Sequence, residues 1–507
     1  MRARALALLL AAAALLVGGA PRAAETDHPT VVLLILDEFP VDDLVRPDGR
    51  IDAARFPNFA KLAATSTWFR SGTTVYDSTT KAVPAILDAR APRRGTPPGV
   101  EGHPRNIFTL FDSLGYEVDA AESVSSVCPT TICATSTPPT GVIDRLRGSD
   151  RPGRLRRWAA SIRNGTRPTL YVHHALLPHE PWIYLPSGRQ SRPGGKDPVG
   201  AVNRPNGFGD PDLTDHNHLR HLLQVGALDR DLGALLSRLR RTGLFDEALI
   251  VVVADHGYSF EVGAPDRRQV TDGNIAQIAP VPYFVKAPGQ RDGRVDDRLV
   301  RTLDVLPTIA GLVGARIPWP HEGRSAYSVA TRRRTVVRIP RRDFSRVISV
   351  SHAELASRRA AIRQERARLL GTGAESRLFL GDPWAAAYRI GPHPELIGRA
   401  APARAPRAEV RAALANAHLL RSVPARGGIL PTRVTGELRG GSEGELRDLA
   451  VAANGRIEAV GRSFRLTDQP QEWFSLMLPE TAIRPGRNGV ELFEVGDDDR
   501  LTSLGRF

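Results

Sequence analysis

Thr30-Val-Val-Leu-Leu-Ile-Leu-Asp37-Glu38 is the stretch that decides the fold of this 507-residue chain. Its apolar part is continuous, which is typical of a strand buried on both faces of a parallel sheet. A second run, Leu249-Ile-Val-Val-Val-Ala254, has the same character and ends at Asp255-His256. Because open α/β sheets gather ligands at the carboxyl ends of their strands, we expect the two polar ends to lie together.

Helical patterns alternate with these strands, and this alternation predicts an α/β fold with a doubly wound sheet and helices on both faces. The longest pattern is an amphipathic helix over Leu219–Arg241, which leads into the strand at Leu249. This part of the chain, residues 27–330, is expected to form the main domain.

The pattern changes after about residue 330. A charged, Ala/Arg-rich helix over Ser351–Leu370 predicts a helical connector at 331–407. Short alternating segments follow, and Asn454-Gly455 between two of them is a strong hairpin signal. We therefore expect a small C-terminal β-rich, sandwich-like module at 408–507.

The N-terminal residues bear on the compartment. Residues 1–24 have the layout of a signal peptide, with Arg2 and Arg4 before an apolar run and small residues after it; an uncleaved N-terminal anchor is the alternative. Cys128 and Cys133 form a close pair, which in an oxidising compartment predicts a disulfide. The protein is expected to be extracytoplasmic, either secreted or tethered to the outer face of a membrane.

The formal net charge of +14 does not by itself indicate nucleic acid. Nearly all of the positive charge is arginine, which we interpret as compositional bias, so no nucleic-acid partner is expected. Attraction to anionic envelope polymers or lipid headgroups, and with it membrane-surface association, stays open.

Asp37, Asp255 and His256 are the first candidates for chemistry. Two carboxylates and an imidazole in one cluster would repel and desolvate each other without a cation. Mixed oxygen and nitrogen ligands suit one divalent ion such as Mn, Mg, Ca or Zn. The alternative is a structural cluster in which the carboxylates cap turns.

The order of strand-Asp, helix-opening Thr and distant Asp-His-Gly resembles the alkaline phosphatase superfamily, in its sulfatase-like branch. Pro57-Asn58-Phe59 and Asp304-Val-Leu-Pro-Thr are similar to two helix motifs of sulfatases. The resemblance covers about residues 30–330 and includes phosphodiesterases and phosphoglycerol transferases. It implies an alkaline phosphatase-like fold and a metal-dependent catalytic domain.

The resemblance also implies a nucleophile within Ser78-Thr79-Thr80-Lys81. Its register places Thr79 where sulfatases carry a modified cysteine and phosphodiesterases a threonine, so Thr79 is predicted both to attack and to bind the metal. Thr80 is the rival, and a plain helix cap is the structural alternative. The Cys-x-Pro-x-Arg and Ser-x-Pro-x-Arg motifs of formylglycine formation are absent, which favours phosphoryl chemistry.

A histidine-rich segment, His173-His174-Ala175 to His179, is similar to a substrate-facing motif of the same families. His179 is predicted to assist as a general acid or to bind an anionic oxygen. Ala175 stands where two-metal relatives carry an Asp, which favours one metal. Three further residues are candidates for substrate binding: His174, Lys81 and Arg268. Arg267 and Arg268 both lie near the position of a basic anion-binding residue of sulfatases, and Glu38 is a secondary candidate for a metal ligand.

Three histidines near the start of a helix, His216, His218 and His221, have a spacing that superficially resembles a metal site. We interpret them as a solvated helix end.

The first hypothesis is therefore an extracytoplasmic, metal-dependent hydrolase or phosphotransferase that acts on phosphoric or sulfuric esters through a threonine. Its partner would be an anionic ester, with envelope polymers and lipid-linked molecules among the candidates. The alternatives are a true sulfuric ester hydrolase with unmodified Thr79 and a non-catalytic envelope scaffold.

Overall fold

A computed structural model describes residues 28–133, 150–194, 209–264, 266–442, 444–466 and 470–507. The predicted signal segment 1–24 lies outside the described residues. Within them, no helix combines the length and the apolar character needed to cross a membrane.

The N-terminal part contains the predicted α/β layers. Its strands are β1 (Val31–Asp37), β2 (Thr67–Phe69), β3 (Gly72–Thr73), β4 (Glu117–Ala121), β5 (Thr169–Pro178), β6 (Leu249–Ala254), β7 (Tyr283–Lys286), β8 (Arg294–Asp296) and β9 (Val300–Arg301). Its helices are α1 (Pro57–Ala63), α2 (Thr79–Asp88), α3 (Ile107–Ser113), α4 (Arg151–Ser161), α5 (Pro211–Arg241), α6 (Leu244–Glu247), α7 (Ile275–Ile278), α8 (Val305–Leu312) and α9 (Val329–Arg332).

Seven of these strands form one sheet in the order β4-β5-β1-β6-β7-β2-β8. Strand β1 pairs in parallel with β5 on one side and with β6 on the other, while β7 runs antiparallel to both of its neighbours. The sheet therefore has the largely parallel, doubly wound character that the sequence predicts. Its centre brings the carboxyl ends of β5, β1 and β6 side by side.

The residues of β1 alternate between two cores. Val32, Leu34 and Leu36 pack with α1, α4 and α5, whereas Val31, Leu33 and Ile35 belong to the core with α2, α3 and α8. A strand covered on both faces needs apolar residues at every position, which explains the uninterrupted run in the sequence. The predicted helices on both faces are thus confirmed.

Helix α5 begins earlier than predicted, at Pro211 rather than Leu219. The side chain of Asp210 accepts a hydrogen bond from the backbone N–H of Leu213, and proline at the first helical position fits the cap. The interpretation of His216, His218 and His221 as a solvated helix end is wrong, because all three are buried. Their side chains face the domain interior on the first turns of this longer helix.

The segment 331–407 holds more than helices. A hairpin of β10 (Val336–Pro340) and β11 (Val347–Ser351) precedes α10 (His352–Leu370) and α11 (Gly373–Leu380). The apolar side of the hairpin packs against α7, next to the sheet.

The C-terminal residues form two four-stranded antiparallel sheets, in the orders β12-β13-β17-β16 and β15-β14-β18-β19. The strands are β12 (Arg411–Leu414), β13 (Arg433–Arg439), β14 (Asp448–Ala453), β15 (Arg456–Arg462), β16 (Phe464–Arg465), β17 (Glu472–Met477), β18 (Val490–Val495) and β19 (Leu501–Arg506). Asn454 and Gly455 form the predicted hairpin turn, both with positive φ. The sandwich-like module is confirmed.

Candidate active site

Three polar strand ends converge at the centre of the sheet. Asp37 closes β1, Asp255 and His256 follow β6, and His174 lies in β5 opposite Ile35. All four side chains are at most 1% exposed. The strand pattern of the sequence places the first three together, and the structure adds His174, which the sequence predicts for substrate binding, to the same cluster.

The helix start brings Thr79 to the same point. Its Oγ1 lies 3.3 Å from Asp37 Oδ1 and 3.3 Å from His256 Nε2. Thr79 is the first residue of α2, follows the cap residue Ser78, and is buried, whereas Thr80 is exposed and its hydroxyl contacts Ser78. The geometry therefore separates the two rival threonines, and it is Thr79 that faces the carboxylates.

The backbone orients two members of the cluster. Asp255 Oδ1 accepts hydrogen bonds from the N–H groups of His256 (2.6 Å) and Glu38 (3.2 Å), which leaves Oδ2 directed at the cluster. His256 Nδ1 donates to the carbonyl of Gly257 at 2.9 Å, so Nε2 is the nitrogen that faces Thr79. Such outer contacts are what fixes the ring of a metal-binding histidine.

Several buried atoms of the cluster lack a hydrogen-bond partner among the described residues: Asp37 Oδ2, Asp255 Oδ2, and both ring nitrogens of His174. His174 Nε2 comes within 3.5 Å of Asp37 Oδ2, without hydrogen-bond geometry. Buried polar atoms left without partners are costly, and a cation would satisfy all three residues at once.

The pKa values of the two carboxyl groups are shifted in opposite directions. Burial raises the pKa of Asp37, but the imidazoles of His179, His174 and His256 outweigh it and the net shift is downward. Burial and the neighbouring Asp37 raise the pKa of Asp255 well above its ordinary value. Two carboxylates of this kind share a proton unless a cation takes its place.

Two overlapping sets of side chains have ligand atoms close enough to hold an ion, namely Asp37, Glu38 and His256, and Asp37, His174 and Asp255. Carboxylate and imidazole donors fit a divalent ion of the hard or borderline kind. The residues present thus fit a metal centre.

Next to the cluster of Asp37, His174, Asp255 and His256, Glu38 forms a second group of charged side chains. Its Oε1 lies 2.9 Å from Arg267 Nη2, 3.5 Å from Arg268 Nε and 3.3 Å from His179 Nε2. Burial raises the pKa of Glu38, but Arg267, His179 and Arg268 lower it to about 2. His179 and Arg268, both predicted from sequence, are therefore joined to the cluster through Glu38.

The side chain of Lys81 contacts a neighbouring loop and not the polar cluster. Its ammonium donates to the carbonyl of Arg93 at 2.9 Å and to that of Thr96, both in a loop. These bonds account for Lys81 structurally and give no support to a substrate-binding role. The predicted disulfide between Cys128 and Cys133 is present.

The structure also adds residues that sequence reasoning missed. The tip of the β10–β11 hairpin packs on the segment before Thr79: Tyr76 donates to the carbonyl of Arg342 at 2.8 Å and its ring lies 5.2 Å from that of Phe344. Arg151 and Gln224 hold the backbone around His179. Gln224 carries a signal in the sequence, since it is a polar residue within an apolar helix face.

The central sheet, its flanking helices and the polar cluster at the strand ends define a protein of the alkaline phosphatase-like α/β class. The sulfatase family matches residues 29–315, more than half of the chain. The chain therefore belongs to the sulfatase family, as the sequence motifs predicted.

Curated relatives support the same superfamily. The chain is 29% identical over 107 residues to the endo-4-O-sulfatase of Bacteroides thetaiotaomicron, which is 21% of either protein. It is 30% identical over 113 residues to lipoteichoic acid synthase 2 of Bacillus subtilis, covering 21% of this chain and 16% of the synthase. Alignments thus span about a fifth of these relatives or less.

Among solved structures, BT4656 in complex with its substrate D-glucosamine-2-N,6-O-disulfate has a TM-score of 0.50 and 13% identity, covering 69% of this chain and 98% of that one. A likeness at this identity concerns the fold.

Proposed function

We propose that this protein is a metal-dependent hydrolase or phosphotransferase of phosphoric esters, with Thr79 as the nucleophile. The observation that carries the proposal is the convergence of Asp37, Thr79, Asp255 and His256 from two strand ends and a helix start, with His256 Nε2 3.3 Å from Thr79 Oγ1 and 3.5 Å from Asp255 Oδ2. These four residues would hold one divalent cation, of which Mn, Mg, Ca and Zn fit the donors. When bound, the ion would lower the pKa of the threonine hydroxyl and neutralise charge on the ester.

The remaining chemistry belongs to side chains of this chain. Thr79 Oγ1 would attack phosphorus, forming an Oγ–P bond while the bond from phosphorus to the leaving oxygen breaks. Asp37 Oδ1 lies 3.3 Å from the hydroxyl oxygen and would accept its proton. Protonated His179 would deliver a proton from Nε2 to the leaving oxygen. The oxygen of water or of an acceptor alcohol would then attack phosphorus and give a proton to His179, while the Oγ–P bond breaks and Thr79 Oγ1 takes back the proton held by Asp37.

The start of α2 suits this chemistry in a second way. Free N–H groups and the dipole at a helix N-terminus stabilise an incoming anion. Arg268, whose side chain is one-quarter exposed, would contact the outer part of the substrate.

Sulfuric esters are the second candidate substrate class, supported by membership of the sulfatase family. The endo-4-O-sulfatase and the lipoteichoic acid synthase among the relatives make anionic polymers and lipid-linked esters the substrates to examine first. We also propose an extracytoplasmic location, supported by the buried disulfide. Residues 27–330 would be catalytic and 408–507 accessory.

The test compares Thr79→Ala with Thr80→Ala, which is the matched control because Thr80 is exposed beside the site. Turnover of bis-p-nitrophenyl phosphate, p-nitrophenyl phosphate and p-nitrophenyl sulfate would be measured with added Mn²⁺. We expect loss of at least about 1,000-fold in kcat for Thr79→Ala and a small change for Thr80→Ala. Turnover by Thr79→Ala at the wild-type rate would reject Thr79 as the nucleophile. A wild-type protein that turns over none of the esters would favour the scaffold alternative.

A further inference from the structure

His179 lies on a segment that two side chains hold in place. The segment from Leu176 to Pro181 spans the end of β5 and contains two prolines, which lack a backbone N–H. The carbonyl groups that these two side chains bind are those of Leu176, Pro178, His179, Glu180 and Pro181.

Arg151 is the first of the two. It opens α4, is 2% exposed, and lies 5.1 Å from the ring of Tyr184. Its Nη1 donates to the carbonyls of Leu176 (2.9 Å), Glu180 (3.2 Å) and His179, and its Nη2 to that of Pro181. The planar guanidinium presents several donors in a fixed arrangement, which a lysine ammonium does not reproduce.

Gln224 is the second and lies within α5, fully buried. Its Nε2 donates to the carbonyls of Pro178 and His179, both at 2.8 Å. Its Oε1 accepts from the N–H groups of Ile183 (3.0 Å) and Tyr184 (3.3 Å). One amide therefore holds the backbone on both sides of the turn.

The consequence concerns the imidazole of His179. His179 Nδ1 lies 2.6 Å from the carbonyl oxygen of Glu180, and a carbonyl can only accept, so Nδ1 carries a hydrogen. Nε2 is then the nitrogen that faces Glu38 Oε1 at 3.3 Å. The carbonyl of Glu180 that fixes this tautomer is also the one that Arg151 holds.

We propose that Arg151 and Gln224 are positioning residues for His179: they fix its backbone, its tautomer and the direction of Nε2. This inference rests on the proposed function, in which His179 donates a proton from Nε2. It assigns a catalytic consequence to two buried residues that touch neither the cation ligands nor the substrate.

The kinetic test is a double-mutant cycle with Arg151→Lys and Gln224→Met, each alone and combined with His179→Gln. We expect each single variant to lower kcat for bis-p-nitrophenyl phosphate by about 10- to 100-fold with KM nearly unchanged. In the His179→Gln background we expect no further loss, because the residue that they position is gone. Losses that multiply with that of His179→Gln would overturn the proposal.

Leaving-group dependence separates positioning from general damage. Diphenyl phosphate has a poorer leaving group than bis-p-nitrophenyl phosphate, so it depends more on a proton donor. We expect Arg151→Lys and Gln224→Met to slow diphenyl phosphate more. Equal slowing of both esters would contradict the inference. The control is Arg157→Lys, since Arg157 lies on the same helix, is 67% exposed and pairs with Asp150; it should leave both rates unchanged.

A second readout does not require turnover. Nitrogen-15 NMR of histidine-labelled protein, with His179 assigned from the His179→Gln spectrum, reports the tautomer at a pH where the ring is neutral. We expect the Nδ1–H tautomer in the wild type and a mixture in Arg151→Lys and Gln224→Met. An unchanged tautomer in folded variants would overturn the inference, whether or not the protein hydrolyses any ester. If Arg151→Lys does not fold, Gln224→Met decides, because both residues donate to the carbonyl of His179.

Discussion

Glu38 shows how much of this site depends on single buried charges. It is fully buried, has a φ of 58°, and its carboxylate contacts Arg267, Arg268 and His179. A carboxylate without such partners would pay a large desolvation cost in this position. Glu38 and Arg267 therefore stabilise each other's buried charge, and removing one of them raises the cost of burying the other.

Glu38→Gln tests this dependence. We expect the free energy of unfolding to fall by about 3 kcal/mol, because Arg267 keeps its charge, loses its nearest anion and retains Glu180, at 3.3 Å. Adding Arg267→Met should cost less than the sum of the two single changes, since neither charge is then left alone. Denaturant unfolding of the four proteins measures the cycle.

The control for Glu38→Gln is Glu365→Gln, which breaks a surface pair with Arg368 in which both side chains are more than two-thirds exposed. That change should cost less than about 1 kcal/mol. Strictly additive effects of Glu38→Gln and Arg267→Met would contradict a paired role.

Sequence reasoning identified the residues that we propose as cation ligands, but not the residues that hold the neighbouring backbone in place. Asp37 and Asp255 can be recognised in the sequence because each comes at the end of an apolar run. Thr79 is predicted from its position in the motif shared with sulfatases. The choice between Thr79 and Thr80 needed the structure, because it depends on the residue at which the helix begins. In the structure the hydroxyl of Thr79 faces Asp37, and that of Thr80 contacts Ser78. Arg151 could not be predicted, because its partners are backbone carbonyls and leave no trace in the sequence.

Among the elements, α10 differs most from its predicted character. The sequence predicted a charged helix in a connector, yet one face of the helix is bound to the main domain. Arg359 contacts Asp42 through two hydrogen bonds of 2.7 and 3.0 Å, and Arg366 lies 2.7 Å from Asp43. The spacing of these arginines places them on one side of a helix, but the sequence does not say which carboxylates they meet.

Arg359→Ala should destabilise the protein by about 3 kcal/mol, because it leaves the buried Asp42 with fewer cations. Arg358→Ala is the matched control, since Arg358 is 38% exposed and pairs with Glu354 on the same helix. That change should cost less than about 1 kcal/mol. Thermal and denaturant unfolding would give both values. Equal losses of stability in the two variants would contradict a stabilising role for the buried face of α10.

Helix α1 gives a pH-dependent prediction. Asp229 accepts hydrogen bonds from the backbone N–H groups of Asn58 and Phe59 at the start of this helix. Burial raises the pKa of Asp229 to about 6, although these hydrogen bonds oppose the shift. A carboxyl whose folded pKa exceeds its unfolded value adds stability at low pH, and that stability is lost as the pH rises through about 6.

Asp229→Asn removes this titration and keeps an oxygen acceptor. We therefore expect the difference in free energy of unfolding, wild type minus variant, to decline between about pH 4 and pH 6.5, by at most about 3 kcal/mol, and to be nearly constant above that range. Denaturant unfolding at several pH values measures the difference. Parallel pH profiles for the two proteins would contradict a raised pKa at Asp229.

The N-terminal α/β part and the C-terminal module share one core. Leu219 and Leu223 of α5 belong to the same apolar cluster as Val434, Phe474 and Leu476 of the module. Arg220 of α5 also donates to the hydroxyl of Ser475 at 2.9 Å. The module is therefore docked on the main domain rather than loosely tethered.

A chain that ends at residue 407 should consequently be poorly soluble or aggregate, because the apolar face of α5 would lose its cover. The full chain should unfold in one main transition. Size-exclusion chromatography and calorimetry of the two proteins would measure this. A monomeric truncated chain with an unchanged melting temperature would contradict the shared core.

The individual strands and turns were easier to predict from the sequence than the way the C-terminal module packs on the main domain. Buried parallel strands such as β1 are recognisable because both faces demand apolar residues, and the Asn454-Gly455 turn carries its own backbone preference. An apolar helix face such as that of α5 does not reveal its partner, so the docking of the module needed the structure. The same holds for the burial of His216, His218 and His221, whose polar character suggested solvent.

We propose that one divalent cation lies between Asp37, Thr79, Asp255 and His256. The most direct measurement is a crystal structure of the protein equilibrated with Mn²⁺, with anomalous diffraction to locate the ion. We predict one strong anomalous peak within coordination distance of both carboxylates, the imidazole Nε2 and Thr79 Oγ1. A structure without a peak at this position, or with these four side chains too far apart to share an ion, would contradict the account.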